Sequence, residues 1–496
     1  MNPLIVLISA VGYFALLLLI ARFTSKNSNN STFFTGNRQS PWFVVAFGMI
    51  GASLSGVTLI SIPGEVGNSG FEYFQLVLGY LLGYAVIAFI LMPLYYKLNL
   101  VSIYSYLGQR FGKPAYKTGA IFFLISQTIG ASFRLFLAAI VLQITFFAHY
   151  GIPFSITVAV TIILIWLYTH KGGIKTIVWT DTLQTFFMLL AVILTIIIIL
   201  RDLHPESGSV LTTLQESHLT RIFNWDWRSP NHFVKQFLSG AFIAIVMTGL
   251  DQNMMQKNLT CRNLRDAQKN MMTFSLILLP VNLIFLTMGA LMYLYVQQAG
   301  LTFTDTHGFM FDVINQNYIH TDALYPLLSM NYLGTIASVV FIIGVIAAAY
   351  SSADSAMAAL TTSFCIDILN FRDFDNIKKQ RIRFWVHVAV SVVVFLTILL
   401  FRAFNNTSVI NAVFTMAGYT YGPLLGLYSF GLFTRLKPAK NIIPLIALIS
   451  PALTWYIGKN SETWFNGYKF GFELLLVNGA LTFIGLLLIS RRSKKS

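Results

Sequence analysis

Apolar runs long enough to cross a membrane recur from one end of the chain to the other, and no soluble fold has enough interior to hide them all. Ile162–Tyr168, Phe186–Leu200 and Phe384–Leu400 contain no Lys, Arg, Asp or Glu. A hydrocarbon core about 30 Å thick needs about 20 apolar residues per helical crossing. On that measure helices fall near 3–23, 41–65, 72–97, 117–148, 151–169, 177–200, 232–255, 271–297, 333–369, 384–403, 408–433, 440–458 and 471–490. Backbone groups in lipid must find their partners within the segment, so these runs are helices. The expected fold is an all-α polytopic membrane protein of about thirteen spans. Composition agrees: 56% of residues are hydrophobic and 10% charged, against about 25% charged in a soluble domain.

Placement of charge orients the spans. Arg22, Arg38, Lys97, Arg110, Lys257, Arg262, Arg383 and Lys440 fall in connections on one side, while the other side holds few basic residues, among them Arg201, Arg228 and Lys459. The positive-inside rule then puts the N-terminus outside and the C-terminus in the cytoplasm; the expected location is a bacterial inner membrane, with the N-terminus periplasmic. The net charge of +15 is spent on that asymmetry, and no basic stripe with interleaved aromatics suggests nucleic acid. Pro3–Phe23 has neither a basic leader nor an A-x-A site and reads as a retained helix. Cys261 and Cys365 fall at cytoplasmic span ends and read as inert thiols.

Two spans are interrupted by small and polar residues, Gly48-Met-Ile-Gly-Ala-Ser-Leu-Ser-Gly56 in the second and Thr248-Gly-Leu-Asp-Gln-Asn253 in the seventh. Discontinuous helices at matching places in two halves point to a transporter site. The spacing suits a five-plus-five inverted repeat, with residues 1–40 as a leading helix and loop, 41–200 and 201–433 as the two repeats, and 434–496 as two further helices and a basic tail. Arg201–Asn231 and Gln298–Asn331 are polar connections suited to short surface helices. No nucleophile with its base and no two-metal motif suggests an enzyme, no filter loop suggests a channel, and no His/Cys/carboxylate spacing suggests a transition metal. The short stretch after the last span leaves no room for the output domain of a sensor.

Tyr168-Thr-His-Lys-Gly-Gly-Ile-Lys-Thr-Ile-Val-Trp-Thr-Asp-Thr-Leu-Gln184 resembles the signature of the sodium/solute symporter family. Ser53-Leu-Ser-Gly-Val-Thr-Leu-Ile-Ser-Ile-Pro63 and Ala347-Ala-Ala-Tyr-Ser-Ser-Ala-Asp-Ser355 are similar to its second-span and ninth-span motifs. The resemblance covers about residues 3–433 and implies the LeuT-like five-plus-five fold. It implies a sodium-coupled symporter that works as a monomer in the lipid bilayer and imports a small polar solute, a monosaccharide or a sialic-acid-like sugar acid. The family's common sodium site would use the carbonyls of Gly51, Leu54 and Ala348 and the hydroxyls of Ser351 and Ser352. Some members hold a second cation, which here implies Asp181 with Ser351, Asp354 and Ser355. Asp354 stands where a hydroxyl residue is usual, so a proton at this carboxylate is the rival to sodium. Asp181 lies near a cytoplasmic span end, where interfacial water is the alternative to an ion.

Solutes of this fold bind near the midplane against the broken helices. Ser55 and Thr58 share a helix face and match solute-contacting positions of relatives resembling sialic-acid carriers. Arg134 stands among Phe133, Leu135 and Phe136 inside the fourth span. A guanidinium there must face a cavity, pair with an acid such as Asp251 or Asp354, or bind an anionic solute. In the sialic-acid carriers a related arginine meets the solute carboxylate, and the register places Gly130 there, one turn before Arg134. Gln75, Asp251, Gln252 and Asn253 are further candidates, amides and carboxylates being usual partners of sugar hydroxyls. Glu65 and Glu72 at span ends read as solvated.

Overall fold

In the computed structural model each apolar stretch is helical, and each interruption read from the sequence is a real break. The structure describes residues 3–24, 40–100, 102–203, 209–304, 310–312, 317–318, 321–369, 375–404 and 409–491. The helices are α1 (Pro3–Thr24), α2 (Trp42–Ser53), α3 (Gly56–Ser69), α4 (Tyr73–Lys97), α5 (Lys113–Thr145), α6 (Phe154–Asp202), α7 (Phe233–Gly249) and α8 (Gln252–Asn258). They continue as α9 (Leu264–Gln298), α10 (Gly334–Ile368), α11 (Asn376–Phe404), α12 (Val409–Phe433), α13 (Ile443–Lys459) and α14 (Leu474–Leu488). Among the described residues six helices are long and apolar enough to cross a membrane. Two bent pairs qualify jointly, α2 with α3 at 55° and α7 with α8 at 72°, and four shorter apolar helices accompany them.

The sequence places a connection between the fifth and sixth spans near 170–176, whereas the backbone stays helical throughout α6. At 1.5 Å per residue α6 is about 74 Å long, too long for one crossing, and it holds two apolar stretches, Phe154–Leu167 and Thr176–Asp202. The Tyr168–Lys175 side chains of the signature, His170 included, lie outside the described residues.

Lipid is as apolar as leucine, so helix association relies on close packing of small residues. α4 and α7 meet this way: a Cβ on Gly79 would strike the Phe237 carbonyl, and one on Gly240 would strike the Leu76 backbone. Gly48 and Gly51 let α2 lie against Val178, Asp181 and Thr185 of α6. α10 is packed between α5 and α6 and is buried along almost its whole length. After α14, Ser490–Arg491 pairs with Lys437–Pro438.

The first polar connection holds the expected short helix, Val210–Glu216, capped by Ser209. The second departs from expectation: Thr302–Thr304, Met310–Asp312 and Asn317–Tyr318 form an antiparallel ribbon before the short helix Leu324–Asn331. Alternating Thr and Phe in its first strand suit a ribbon better than a helix. Cys261 and Cys365 are free and buried, and burial pushes the Cys261 thiol up to about 12.

Gly240→Val forces side-chain atoms onto the α4 backbone and is expected to cost about 1–3 kcal/mol. Gly130→Ala meets nothing within 4 Å and should be neutral or stabilising, by up to about 1 kcal/mol. Thermal unfolding of the purified variants in detergent checks the contrast.

Candidate functional site

Where α2 gives way to α3, Leu54 and Ser55 leave helical geometry (φ −82°, ψ 84° and φ −85°, ψ 180°). The Leu54 carbonyl receives no backbone hydrogen bond among the described residues, and regular bonding resumes at Leu59 N–H to Ser55 O. Where α7 gives way to α8, Asp251 is extended and its Oδ1 accepts from Met254 N at 3.1 Å, capping α8. The carbonyls freed at this break are taken by tyrosines from neighbouring segments: Tyr95 Oη donates to Gly249 O at 2.8 Å and Tyr104 Oη to Leu250 O at 3.0 Å. Gln252 Oε1 accepts from Ile103 N at 2.9 Å, so it supports the break from outside the cavity.

Both breaks open on one cavity, lined by Ser55, Thr58, Arg134, Asp251 and Asn253 together with Gln127, Tyr421 and several aromatic side chains. Five of the seven solute candidates therefore converge. Gln75 does not line it: its amide donates to Glu72 O and Asn231 O, and its Oε1 accepts from Asn224 N, tying α4 to a loop. Glu72, read from sequence as solvated, is buried and accepts from Asn224 Nδ2 at 2.8 Å. Burial raises its carboxyl above the ordinary range. Tyr73 and Phe414 stack at 6.4 Å and line both the cavity and a second hollow beside Glu65, Glu72 and Asn231.

Asp251 and Arg134 share the cavity without forming a pair. Asp251 Oδ2 accepts from Tyr421 Oη at 2.7 Å, so both carboxylate oxygens are engaged. Arg134 feels Asp251 and Tyr421 electrostatically, yet its guanidinium makes no ion pair or hydrogen bond among the described residues. Five donors in a fixed planar fork thus face the cavity.

Behind α2 lies a second polar cluster. Asp181 of α6 is fully buried, with Ser351 Oγ donating to Oδ1 at 2.7 Å and Lys257 Nζ 2.6 Å from Oδ2. The sequence put Lys257 in a cytoplasmic connection and Asp181 near interfacial water; the structure buries both, because α8 folds back into the bundle at the bend. Ser352 Oγ donates to the Ala348 carbonyl at 3.2 Å. Asp354 is buried and accepts from the Ser355 amide. Gly51 lies against this cluster, the Asp181 carbonyl 3.0 Å from where its Cβ would be. Sequence reasoning missed Tyr95, Tyr104, Tyr421 and Lys257; the visible signal was polar tips inside apolar spans, without any indication of their partners.

The sequence profile of the sodium:solute symporter family matches residues 33–437. The chain is similar to the human sodium/iodide cotransporter, 25% identical over 467 residues that cover 89% of this chain and 68% of that protein. It is also similar to the sodium/sialic acid symporter NanT of Aliivibrio fischeri, 22% identical over 93% of this chain and 89% of that protein. A solved structure of a Na+-coupled sialic acid symporter, in a substrate-bound outward-open state, superposes with a TM-score of 0.80 at 18% identity and covers 98% of this chain and 99% of its own. The LeuT-like five-plus-five fold expected from the sequence is thereby established.

Asp251→Ala removes both the α8 cap and the acceptor of Tyr421. The expected cost is about 1–3 kcal/mol of stability, read as a lowered unfolding temperature in detergent. Asp251→Asn keeps a capping oxygen and should lose less.

Proposed function

Because the chain belongs to the sodium:solute symporter family, it is a sodium-coupled carrier, and we propose that its solute is a small organic anion of the sugar-acid kind. One observation carries this reading: the Arg134 guanidinium faces the cavity between the two helix breaks, and no carboxylate among the described residues pairs with it. A charged side chain within a membrane costs about 2.5–3.5 kcal/mol even on insertion scales, and a carboxylate held by the planar fork offsets that cost. Named cargoes of similar proteins point the same way, since iodide, sialic acid and monocarboxylates are anions. Asp251, Asn253, Ser55 and Thr58 would take the solute's hydroxyls.

Sodium would be held by the carbonyls of Gly51, Leu54 and Ala348 and the hydroxyls of Ser351 and Ser352. The Leu54 carbonyl, which receives no backbone hydrogen bond among the described residues, supports this set. Donation of the Ser351 proton to Asp181 leaves the hydroxyl lone pairs for a cation. Binding there would steady α2 against α10 and complete the solute cavity beside it, so that ion and solute move together as the repeats rock. Helices within 41–200 and 201–433 would form those repeats, in a monomer of the bacterial inner membrane with a periplasmic N-terminus and cytoplasmic C-terminus.

Purified protein in liposomes tests the reading with labelled N-acetylneuraminate, gluconate and galactose under an imposed sodium gradient, then a proton gradient alone. The acids should accumulate with sodium only. Uptake that ignores sodium would sink the sodium site and favour the proton at Asp354. Arg134→Gln should weaken binding of the acids by about ten- to a hundredfold and leave galactose unaffected; an equal loss for all three would make Arg134 structural.

A further inference from the structure

Asp181 is held from two sides by elements distant in sequence. Lys257 reaches it from α8 and Ser351 from α10, and the two charged side chains are 0% and 1% exposed. With its amide turned to donate, Gln184 also comes within 3.3 Å of Oδ1. A carboxylate this deep in a membrane bundle needs a cation or a proton, since leaving a buried charge unpaired costs several kcal/mol.

We infer that Lys257 is that cation: its ammonium permanently fills the second cation position of the Asp181–Ser351 pocket, so the chain binds one sodium fewer than this pocket would otherwise allow. The inference rests on the proposed function for the identity of the competing ion. Geometry makes the two cations exclusive. A sodium on the same carboxylate would sit about 4 Å from the ammonium, where two unit charges repel by about 4 kcal/mol at an effective dielectric of 20. That is about a thousandfold in affinity.

The lysine is also delivered by a fixed element. α8 begins at the Asp251 cap and ends with Thr260 Oγ1 donating to the Lys257 carbonyl at 2.7 Å. Asn258 is held in turn by Asn270 Nδ2, which donates to its Oδ1 at 2.6 Å. The ammonium therefore comes as part of the bent span that also lines the solute cavity. Lys257 sets the ion count of the site and contacts no solute.

Equilibrium binding of radioactive sodium alone to the purified full-length protein tests this, with no need to know the solute. Lys257→Ala should bind one more sodium per chain than wild type, and Asp181→Asn/Lys257→Met, which removes both charges together, should return to the wild-type count. Equal counts for wild type and Lys257→Ala would overturn the inference. If Lys257→Ala fails to fold, the double variant decides alone: an unchanged count supports the inference, whereas loss of the wild-type sodium means that Asp181 was its ligand and overturns it. Wild type binding no sodium while Lys257→Ala binds one would sink the sodium site proposed above and leave the lysine's role standing.

Discussion

A helix that stops inside a membrane leaves backbone groups that no water can reach, and the structure depends on how these are satisfied. At the α7–α8 break two tyrosine hydroxyls and one aspartate cap take them up. At the α2–α3 break the Leu54 carbonyl receives no backbone hydrogen bond among the described residues. The asymmetry is informative: one break is braced by its neighbours, and the other keeps a polar group in reserve. Close glycine contacts along α2, α4 and α7 hold the two bends in one place, so the cavity follows from packing and not from a loop.

Two buried acid–base relationships sit near these bends and are resolved differently. Asp181 and Lys257 are in contact, each satisfying the other. Asp251 and Arg134 share a cavity without forming a pair, and the Asp251 oxygens accept from Tyr421 and the Met254 amide. A closed pair supplies a fixed charge state; an open one supplies an affinity.

Much of this was legible in the chain itself. Span positions follow from apolar length, and both breaks follow from glycines and polar residues where lipid tolerates neither without cause. Ser55, Thr58, Arg134, Asp251 and Asn253 were found because a polar residue in a membrane helix demands a reason. Gln75 satisfied the same rule for another reason, bracing a loop. Lys257 was misplaced because a lysine near a span end ordinarily reaches the interface, and only the 72° bend turns it inward. Partnerships such as Tyr104 with Leu250 and Lys257 with Asp181 join residues 146 and 76 positions apart, and no local periodicity carries that information.

A cation fastened to the carrier cannot be left behind on the far side. With Lys257 beside Asp181, a cycle that brings in one sodium and one monovalent anion moves no net charge, and the membrane voltage then does no work on it. The steepest accumulation it can sustain equals the sodium concentration ratio itself. A second, dissociable sodium would square that ratio and add about 2.3 kcal/mol for every 100 mV. If one sodium accompanies each anion, as inferred from Lys257, that buried lysine sets the thermodynamic ceiling of the carrier and favours uptake that persists when the membrane is depolarised over uptake that concentrates the solute furthest.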